Sequence, residues 1–231
     1  LLGGIAPEIS IEGLSSSLQK QLNSKKNDPF QILFTNNNSS ALQTRYQKFL
    51  NRFPNAIWTI SRGKDLSDGR PSLIIKIESV ADKKKSFHKL ESVERIGFEL
   101  INKKIKDYEI ISSYSILSGG SKPLPISLSI PNSVLTGTKY DFDIIFNEPI
   151  NDAIIAGGLI SLSQKQVNNN KNPKIELSPL AGGGLFKTVQ APLKAGTQYW
   201  AAILAHPEGL VSITKSVKIV QTNPILLIKF F

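Results

Sequence analysis

Hydrophobic and polar positions alternate along the first half of the chain with two different periods. Leu14, Leu18 and Leu22 recur every four residues, which predicts a short leading helix. Ser40 with Gln43 three residues on is a capping-box pattern and predicts the start of a second helix. Its apolar stripe consists of Leu42, Tyr46, Phe49, Leu50 and Phe53. Pro54 should end this helix, because the residue before a proline is driven out of helical geometry.

Strand patterns lie on both sides of that helix. Residues 30, 32 and 34 are apolar and alternate with polar ones, which predicts a first strand. Trp58 and Ile60 alternate in the same way, and residues 73, 75 and 77 repeat the pattern after a turn at 65–69. These two strands should form a hairpin.

A further helix and strand should complete the first half. Apolar residues recur at three and four positions between 90 and 101, which predicts a helix. Lys103, Lys104 and Lys106 should close it, since cations complement the carbonyl end of the helix dipole. Residues 108–116 then read as the last strand.

The resulting β-α-β-β-α-β order over residues 29–117 resembles the ferredoxin-like split βαβ pattern, with one sheet face left open. This order alone implies no activity. The third strand lacks the aromatic core motif of RNA-recognition domains. We therefore expect a leader at 1–26, which can be helical, and a ferredoxin-like α+β domain at 27–118.

The cluster of glycine and proline from 119 to 125 predicts a linker. Beyond it, at 126–231, short alternating runs predict about seven strands in about a hundred residues, which suits an all-β Greek-key sandwich. They lie at 126–130, 140–146, 159–163, 175–177, 185–189, 199–203 and 211–219. The expected fold class is therefore α+β: the ferredoxin-like domain followed by this sandwich.

The segment Leu193-Lys194-Ala195-Gly196-Thr197-Gln198-Tyr199 opens a late strand of that region. It resembles the Leu-x-Pro-Gly-Thr-x-Tyr signature of fibronectin type III and related immunoglobulin-like folds, with alanine in place of the proline. The resemblance covers residues 124–220 and implies a non-catalytic adhesive, spacer or interaction module. It also implies structural roles: Leu193 plugs the core, Gly196 permits the turn, and the Tyr199 hydroxyl bonds upstream backbone.

Sulfur-containing residues are absent, since the chain has no cysteine and no methionine. This excludes disulfides, thiolate nucleophiles and cysteine-based metal sites. The absence fits an extracytoplasmic setting, the periplasm or cell surface, although a genome with biased composition gives the same result in a cytoplasmic protein. Residues 1–5 are compatible with the end of a removed leader or lipid anchor, and equally with an arbitrary start.

The net charge is +10, and most of the basic excess lies in residues 1–122, with 19 basic against 12 acidic residues. A basic surface attracts acidic proteins, anionic envelope macromolecules or nucleic acid. The candidate contacts for an anionic partner are Lys83, Lys84, Lys85, Lys103 and Lys104. Because the lysines are scattered among acids instead of forming one long block, a solvated exterior is the simpler interpretation.

Candidate chemistry is otherwise sparse. Asp141 and Asp143 share one face of a strand, but calcium needs six to eight oxygens and no loop motif supplies them, so solvent-facing carboxylates are the simpler interpretation. His88 and His206 fall in different predicted domains, which argues against a catalytic pair or a metal cluster. We predict no catalytic residue, no metal and no cofactor. Trp58 and Trp200 should be core side chains.

The expected function is a non-catalytic binding or structural role in the cell envelope. The alternatives are a nucleic-acid-binding protein using the basic first domain and an enzyme with a dispersed site. No apolar run approaches the roughly 20 residues that span a bilayer. The apolar segment 225–231 should be a strand or pack against other parts of the protein.

Overall fold

The structure, a computed structural model, describes residues 10–25, 29–83, 86–122, 124–148, 153–168 and 173–221. Within these ranges, the side chains of residues 36–38, 82, 83, 86 and 168 are not described. The chain forms two compact units. Unit 1 comprises residues 1–80 and 91–111, and unit 2 comprises residues 81–90 and 112–231.

In the described residues, three helices precede the first strand, and a short fourth helix lies late in the chain. The helices are α1 (Ile11–Asn23), α2 (Phe30–Leu33), α3 (Asn36–Arg52) and α4 (Gln164–Asn168). The strands are β1 (Ile57–Gly63), β2 (Ser72–Lys83), β3 (Ser86–Ile101), β4 (Lys104–Gly120), β5 (Ile126–Ser129), β6 (Ser133–Leu135), β7 (Lys139–Phe146), β8 (Ala156–Leu162), β9 (Ser178–Pro179), β10 (Gly184–Gln190), β11 (Gly196–His206) and β12 (Gly209–Val220). Residues of β2, β3 and β4 belong to both units.

Unit 1 packs its three helices against strands in the order β1-β2-β3-β4. The predicted hairpin is confirmed, since Trp58 lies opposite Ile77 and Ile60 opposite Ile75 in antiparallel register. The leading helix and the apolar stripe of α3 are also confirmed: Leu14, Leu18, Leu22 and Tyr46 are buried in the core of this unit, together with Trp58. The remaining buried members are Phe30, Leu33, Phe34, Ala56, Ile60, Leu73, Ile96, Phe98 and Ile105.

Side chains of α1 bond the backbone of β1, the terminal strand of its sheet. The Asn23 amide donates to the Trp58 carbonyl at 2.7 Å and accepts from the Trp58 amide at 2.9 Å. The Ile60 amide donates to the Gln19 side chain at 2.7 Å. An open strand edge presents unpaired backbone groups that invite pairing with another chain. The helix therefore closes this edge of unit 1.

Replacing Asn23 with alanine should lower the free energy of unfolding of unit 1 by about 1–3 kcal/mol. The reason is that a half-buried N–H and C=O of Trp58 each lose a partner. Chemical denaturation followed by Trp58 fluorescence measures the change. Ser17→Ala, at an exposed position on the same helix, is the control and should change stability by less than about 0.5 kcal/mol. Equal effects of the two substitutions would contradict the role of Asn23.

The loop between β1 and β2 forms the predicted turn. Gly69 has a φ of 86°, a conformation that favours glycine. Asp68 accepts from the Arg70 amide at 3.0 Å and from the Arg70 side chain at 2.8 Å. Asp68 therefore stabilises the turn through the backbone and the side chain of Arg70.

The predicted fold class, an α+β chain with a ferredoxin-like domain followed by an immunoglobulin-like sandwich, is wrong. The chain is mostly β, and α1, α2 and α3 all precede β1, so a βαββαβ order does not occur in unit 1 over the described residues. The helix predicted at 90–101 is part of β3. Lys103 lies in the turn between β3 and β4, and Lys104 begins β4, so neither closes a helix.

Two further local predictions were wrong. The first strand predicted at 30–34 is the helix α2 followed by a single bridge from Phe34 to Ile105. The helix α3 begins at Asn36 after Thr35, so Ser40 lies inside it and does not cap it. Its end at Arg52, shortly before Pro54, is as predicted.

Unit 2 contains two sheets that share one core. One sheet has the order β10-β7-β5, and the other contains β4-β12-β11-β8-β9, with β6 paired in parallel to β12. Strands appear at most of the predicted positions, but the run predicted at 175–177 precedes the short β9. The core takes residues from both sheets, including Phe142, Ile144, Leu204, Val211 and Ile213. Two packed antiparallel layers with alternating inward residues produce this arrangement.

The predicted linker begins inside β4. Gly119 lies opposite Leu210 and Gly120 opposite Gly209. The Ser121 amide donates to the Glu208 carbonyl at 2.8 Å. Pro123 lies outside the described residues. The domain boundary at 119–125 stays a prediction.

Candidate functional site

The predicted anion contacts are only partly described. Lys84 and Lys85 lie outside the described residues, as does the side chain of Lys83. Lys103 is exposed at the β3–β4 turn with a φ of 64°. The adjacent Lys104 donates to the Gln31 carbonyl at 3.0 Å. Lys104 therefore stabilises unit 1, and the role of these lysines in binding stays a prediction.

Leu193 and Tyr199 do not play the roles that the family resemblance implies. Leu193 is 86% exposed, so its role as a core plug was wrong. Tyr199 is half-buried, and its hydroxyl makes no hydrogen bond within the part of the chain that the structure describes. Instead, Trp200 Nε1 donates to the Tyr140 hydroxyl at 2.8 Å, and that hydroxyl donates to Gln198 Oε1 at 2.8 Å. Burial raises the pKa of Tyr140 above its ordinary value.

Substituting Tyr140 with phenylalanine should destabilise unit 2 by about 1–2 kcal/mol, because the buried indole N–H of Trp200 loses its acceptor. Tyr199→Phe is the matched comparison and should change stability by less than about 0.5 kcal/mol, since no hydrogen bond of its hydroxyl is lost. Urea denaturation followed by Trp200 fluorescence measures both. A larger loss of stability for Tyr199→Phe than for Tyr140→Phe would show that Tyr199 forms the corner hydrogen bond.

A lysine occupies the core-facing side of β12. Successive side chains of a strand point to opposite faces. Val211, Ile213, Val217 and Ile219 all lie in the core of unit 2, and Lys215 is in phase with them. Only 5% of the Lys215 surface is exposed. Such burial is rare for an ammonium group without an acidic partner.

Three neighbours define the surroundings of Lys215. In strand register it lies between Tyr114 of β4 and Trp200 of β11. Its ammonium lies 5.9 Å from the centroid of the Tyr114 ring, within the range of a cation–π contact. Its Nζ donates to Oδ1 of Asn132, which lies between β5 and β6 and is exposed. The Asn132 carbonyl in turn accepts from the Lys218 amide at 2.9 Å and so joins this segment to β12.

The charge of Lys215 is poorly compensated. No carboxylate in the described parts of the chain lies within ion-pair distance of Nζ. Desolvation by burial lowers the pKa of the Lys215 ammonium below its ordinary value. Among the described residues, one hydrogen-bond acceptor, Asn132 Oδ1, serves the three ammonium hydrogens. The arrangement is therefore costly for stability and leaves donors available to an anionic group.

The sequence pattern contains a signal for this residue. The run Val211-Ser212-Ile213-Thr214-Lys215-Ser216-Val217 alternates strictly, and lysine occupies a position in the apolar phase. A list of the apolar residues of this strand leaves Lys215 out, so the lysine at a core position is easily missed. A charged residue in phase with core residues is a candidate functional residue with a physical reason.

The other candidate residues have local roles. Asp141 accepts from Thr188 at 2.8 Å on the three-stranded sheet. His206 packs against Phe146, with ring centroids 5.8 Å apart, and its Nδ1 accepts from the Glu208 amide at 3.1 Å. Trp58 and Trp200 are buried, as predicted. Among the described residues, no three histidine or carboxylate side chains come together as metal ligands.

Part of the chain matches a family model. Residues 121–220 match a family model described as a domain of unknown function, DUF8623. The matched segment includes Lys215 and Asn132 and begins after Tyr114. No curated protein matches the chain. No helix within the described ranges is long and apolar enough to cross a membrane.

Proposed function

We propose that this protein is a non-catalytic binding protein of the cell envelope, which holds an anionic macromolecular partner through unit 2. The observation that carries the proposal is Lys215, a residue only 5% exposed, whose ammonium makes one hydrogen bond and has no carboxylate partner in the described residues. A buried charge with this environment lowers stability. Residues that lower stability are commonly retained for function.

The groups around Lys215 suit a binding role. Asn132 is exposed and bonded to the ammonium, and Tyr114 is half-buried with its ring centroid 5.9 Å from the ammonium. Nucleophilic or general-base catalysis by a lysine needs a further polar group positioned for proton transfer. The described contacts of Lys215 are an amide oxygen and an aromatic ring. These groups suit recognition of an anion better than proton transfer.

The envelope location rests on the absence of cysteine and methionine.

Affinity capture from envelope extracts tests this function. The wild-type chain should retain a partner, and Lys215→Met should lose it. Lys187→Met removes an exposed lysine from β10 and should retain the partner, which controls for general loss of positive charge. Equal capture by all three proteins would exclude Lys215 as the contact. Recovery of nucleic acid, with steep dependence on salt, would favour the nucleic-acid alternative.

A further inference from the structure

Two neighbouring groups at the Lys215 site have hydrogens to donate. The ammonium has three hydrogens and uses one on Asn132 Oδ1. The Asn132 side chain uses its oxygen in that bond, and its Nδ2 makes no hydrogen bond within the described residues. An asparagine amide carries two donor hydrogens on that nitrogen. The site therefore offers two adjacent donors, one charged and one neutral.

We infer that this pair binds the side-chain carboxylate of a glutamate presented by a protein partner, with one oxygen on Lys215 Nζ and the other on Asn132 Nδ2. The inference rests on the proposed function and specifies the partner and the group that it contributes. A carboxylate has two oxygens, and both accept hydrogen bonds, so one carboxylate can accept from Lys215 Nζ and Asn132 Nδ2 at the same time. Binding would also supply the negative charge that the described residues do not provide.

The charge of the site favours a monovalent anion. Lys215 is the one cation that the described contacts place at the site, and an ammonium acts as a compact point charge. Phosphate groups carry up to two negative charges, and proteins commonly hold them with several charged or backbone donors. Lys215 and Asn132 together match the charge and the acceptor number of one carboxylate.

Access favours a slender side chain over a sugar acid. Lys215 is 5% exposed, while its hydrogen-bond partner Asn132 is exposed, so we expect a narrow group to reach the ammonium more easily than a bulky one. The carboxylate of glutamate stands at the end of two methylene groups, whereas the carboxylate of a uronic acid is attached directly to a bulky ring. An acidic protein segment therefore fits the site better than an acidic polysaccharide.

The test uses the full chain and defined probes, followed by NMR signals of the Asn132 side-chain amide and the Lys215 ε-methylene. The probes are acetyl-Gly-Glu-Gly-amide, its glutamine counterpart, galacturonate and inorganic phosphate. We expect saturable shifts with the glutamate peptide and binding at least about tenfold weaker with the glutamine peptide. Lys215→Met should abolish the response, and Lys187→Met should leave it unchanged.

A second variant keeps the lysine in place. Asn132→Asp puts a carboxylate beside Lys215 and should block the glutamate peptide, because the ammonium then has an internal partner. Equal binding of the glutamate and glutamine peptides would overturn the inference, as would tighter binding of phosphate or galacturonate. If envelope capture depends on Lys215 while the glutamate peptide fails to bind, the proposed function stands and the inference falls. If capture is also independent of Lys215, both fall.

Discussion

Replacing Phe142 with alanine is expected to destabilise unit 2 by about 3–5 kcal/mol. Phe142 is fully buried between the two sheets and packs on Trp200, with ring centroids 5.6 Å apart. Removing a buried aromatic ring loses its transfer free energy and leaves a cavity that the surrounding side chains fill only partly. Phe98 is equally buried in unit 1, and Phe98→Ala should destabilise that unit by a similar amount.

The two tryptophans allow each unit to be followed separately, because Trp58 lies in unit 1 and Trp200 in unit 2. Chemical denaturation of Trp58→Phe reports unit 2 through Trp200, and the reverse substitution reports unit 1. Phe186 is 53% exposed on β10, so Phe186→Ala is the control and should change stability by less than about 1 kcal/mol. A loss below about 1 kcal/mol for Phe142→Ala would contradict the shared core of the two sheets.

The failure at residues 90–101 shows how a period can mislead. Leu90, Val93 and Ile96 are spaced as on a helix, but Ile96 and Phe98 also alternate as on a strand, and these two are buried. Short apolar runs fit both periods, and pairing with neighbouring strands then decides between them. The opposite error occurred at residues 30–34, where a helix was predicted to be a strand. The buried residues Phe30, Leu33 and Phe34 are separated by three and four positions from Phe30, which is the spacing of a helical turn.

Features that depend on residues close together in the sequence were predicted correctly. The turn at 65–69, the hairpin that it closes and the apolar face of α1 follow from neighbouring residues alone. The bonds from Asn23 and Gln19 to β1 join residues 35 and 41 positions apart. Such pairings have no period or motif in the sequence, so only the folded chain places them.

The candidate site could be predicted from the sequence only in part. The phase of Lys215 on β12 was readable, because its neighbours in the alternating pattern are apolar. The contacts of Lys215 could not be predicted from the sequence, since Asn132 is 83 residues away along the chain. The corner motif misled for the same reason: Gly196 and Tyr199 fit a known pattern, but the hydrogen bond that matters joins Trp200 to Tyr140 across 60 residues.

Removing the buried charge is expected to make the protein more stable. Lys215→Met keeps a long flexible side chain in the core of unit 2 and removes the desolvation cost of an ammonium with one hydrogen bond. We expect the free energy of unfolding to rise by about 1–3 kcal/mol at neutral pH. Lys187→Met, at an exposed position, should change it by less than about 0.5 kcal/mol.

The pH dependence of that gain distinguishes a charge effect from better packing. Burial lowers the pKa of Lys215 in the folded protein, whereas the unfolded chain titrates near about 10.5. Between these two values the unfolded state binds more protons, so the stability of the wild type rises with pH. The wild-type deficit is therefore fully present below the folded-state pKa, and it shrinks as the pH rises through that value towards about 10.5. Urea denaturation of both proteins between pH 6 and pH 10.5 measures the difference. A gain that does not change with pH would assign it to packing, and a loss of stability in Lys215→Met would show that the ammonium stabilises the fold.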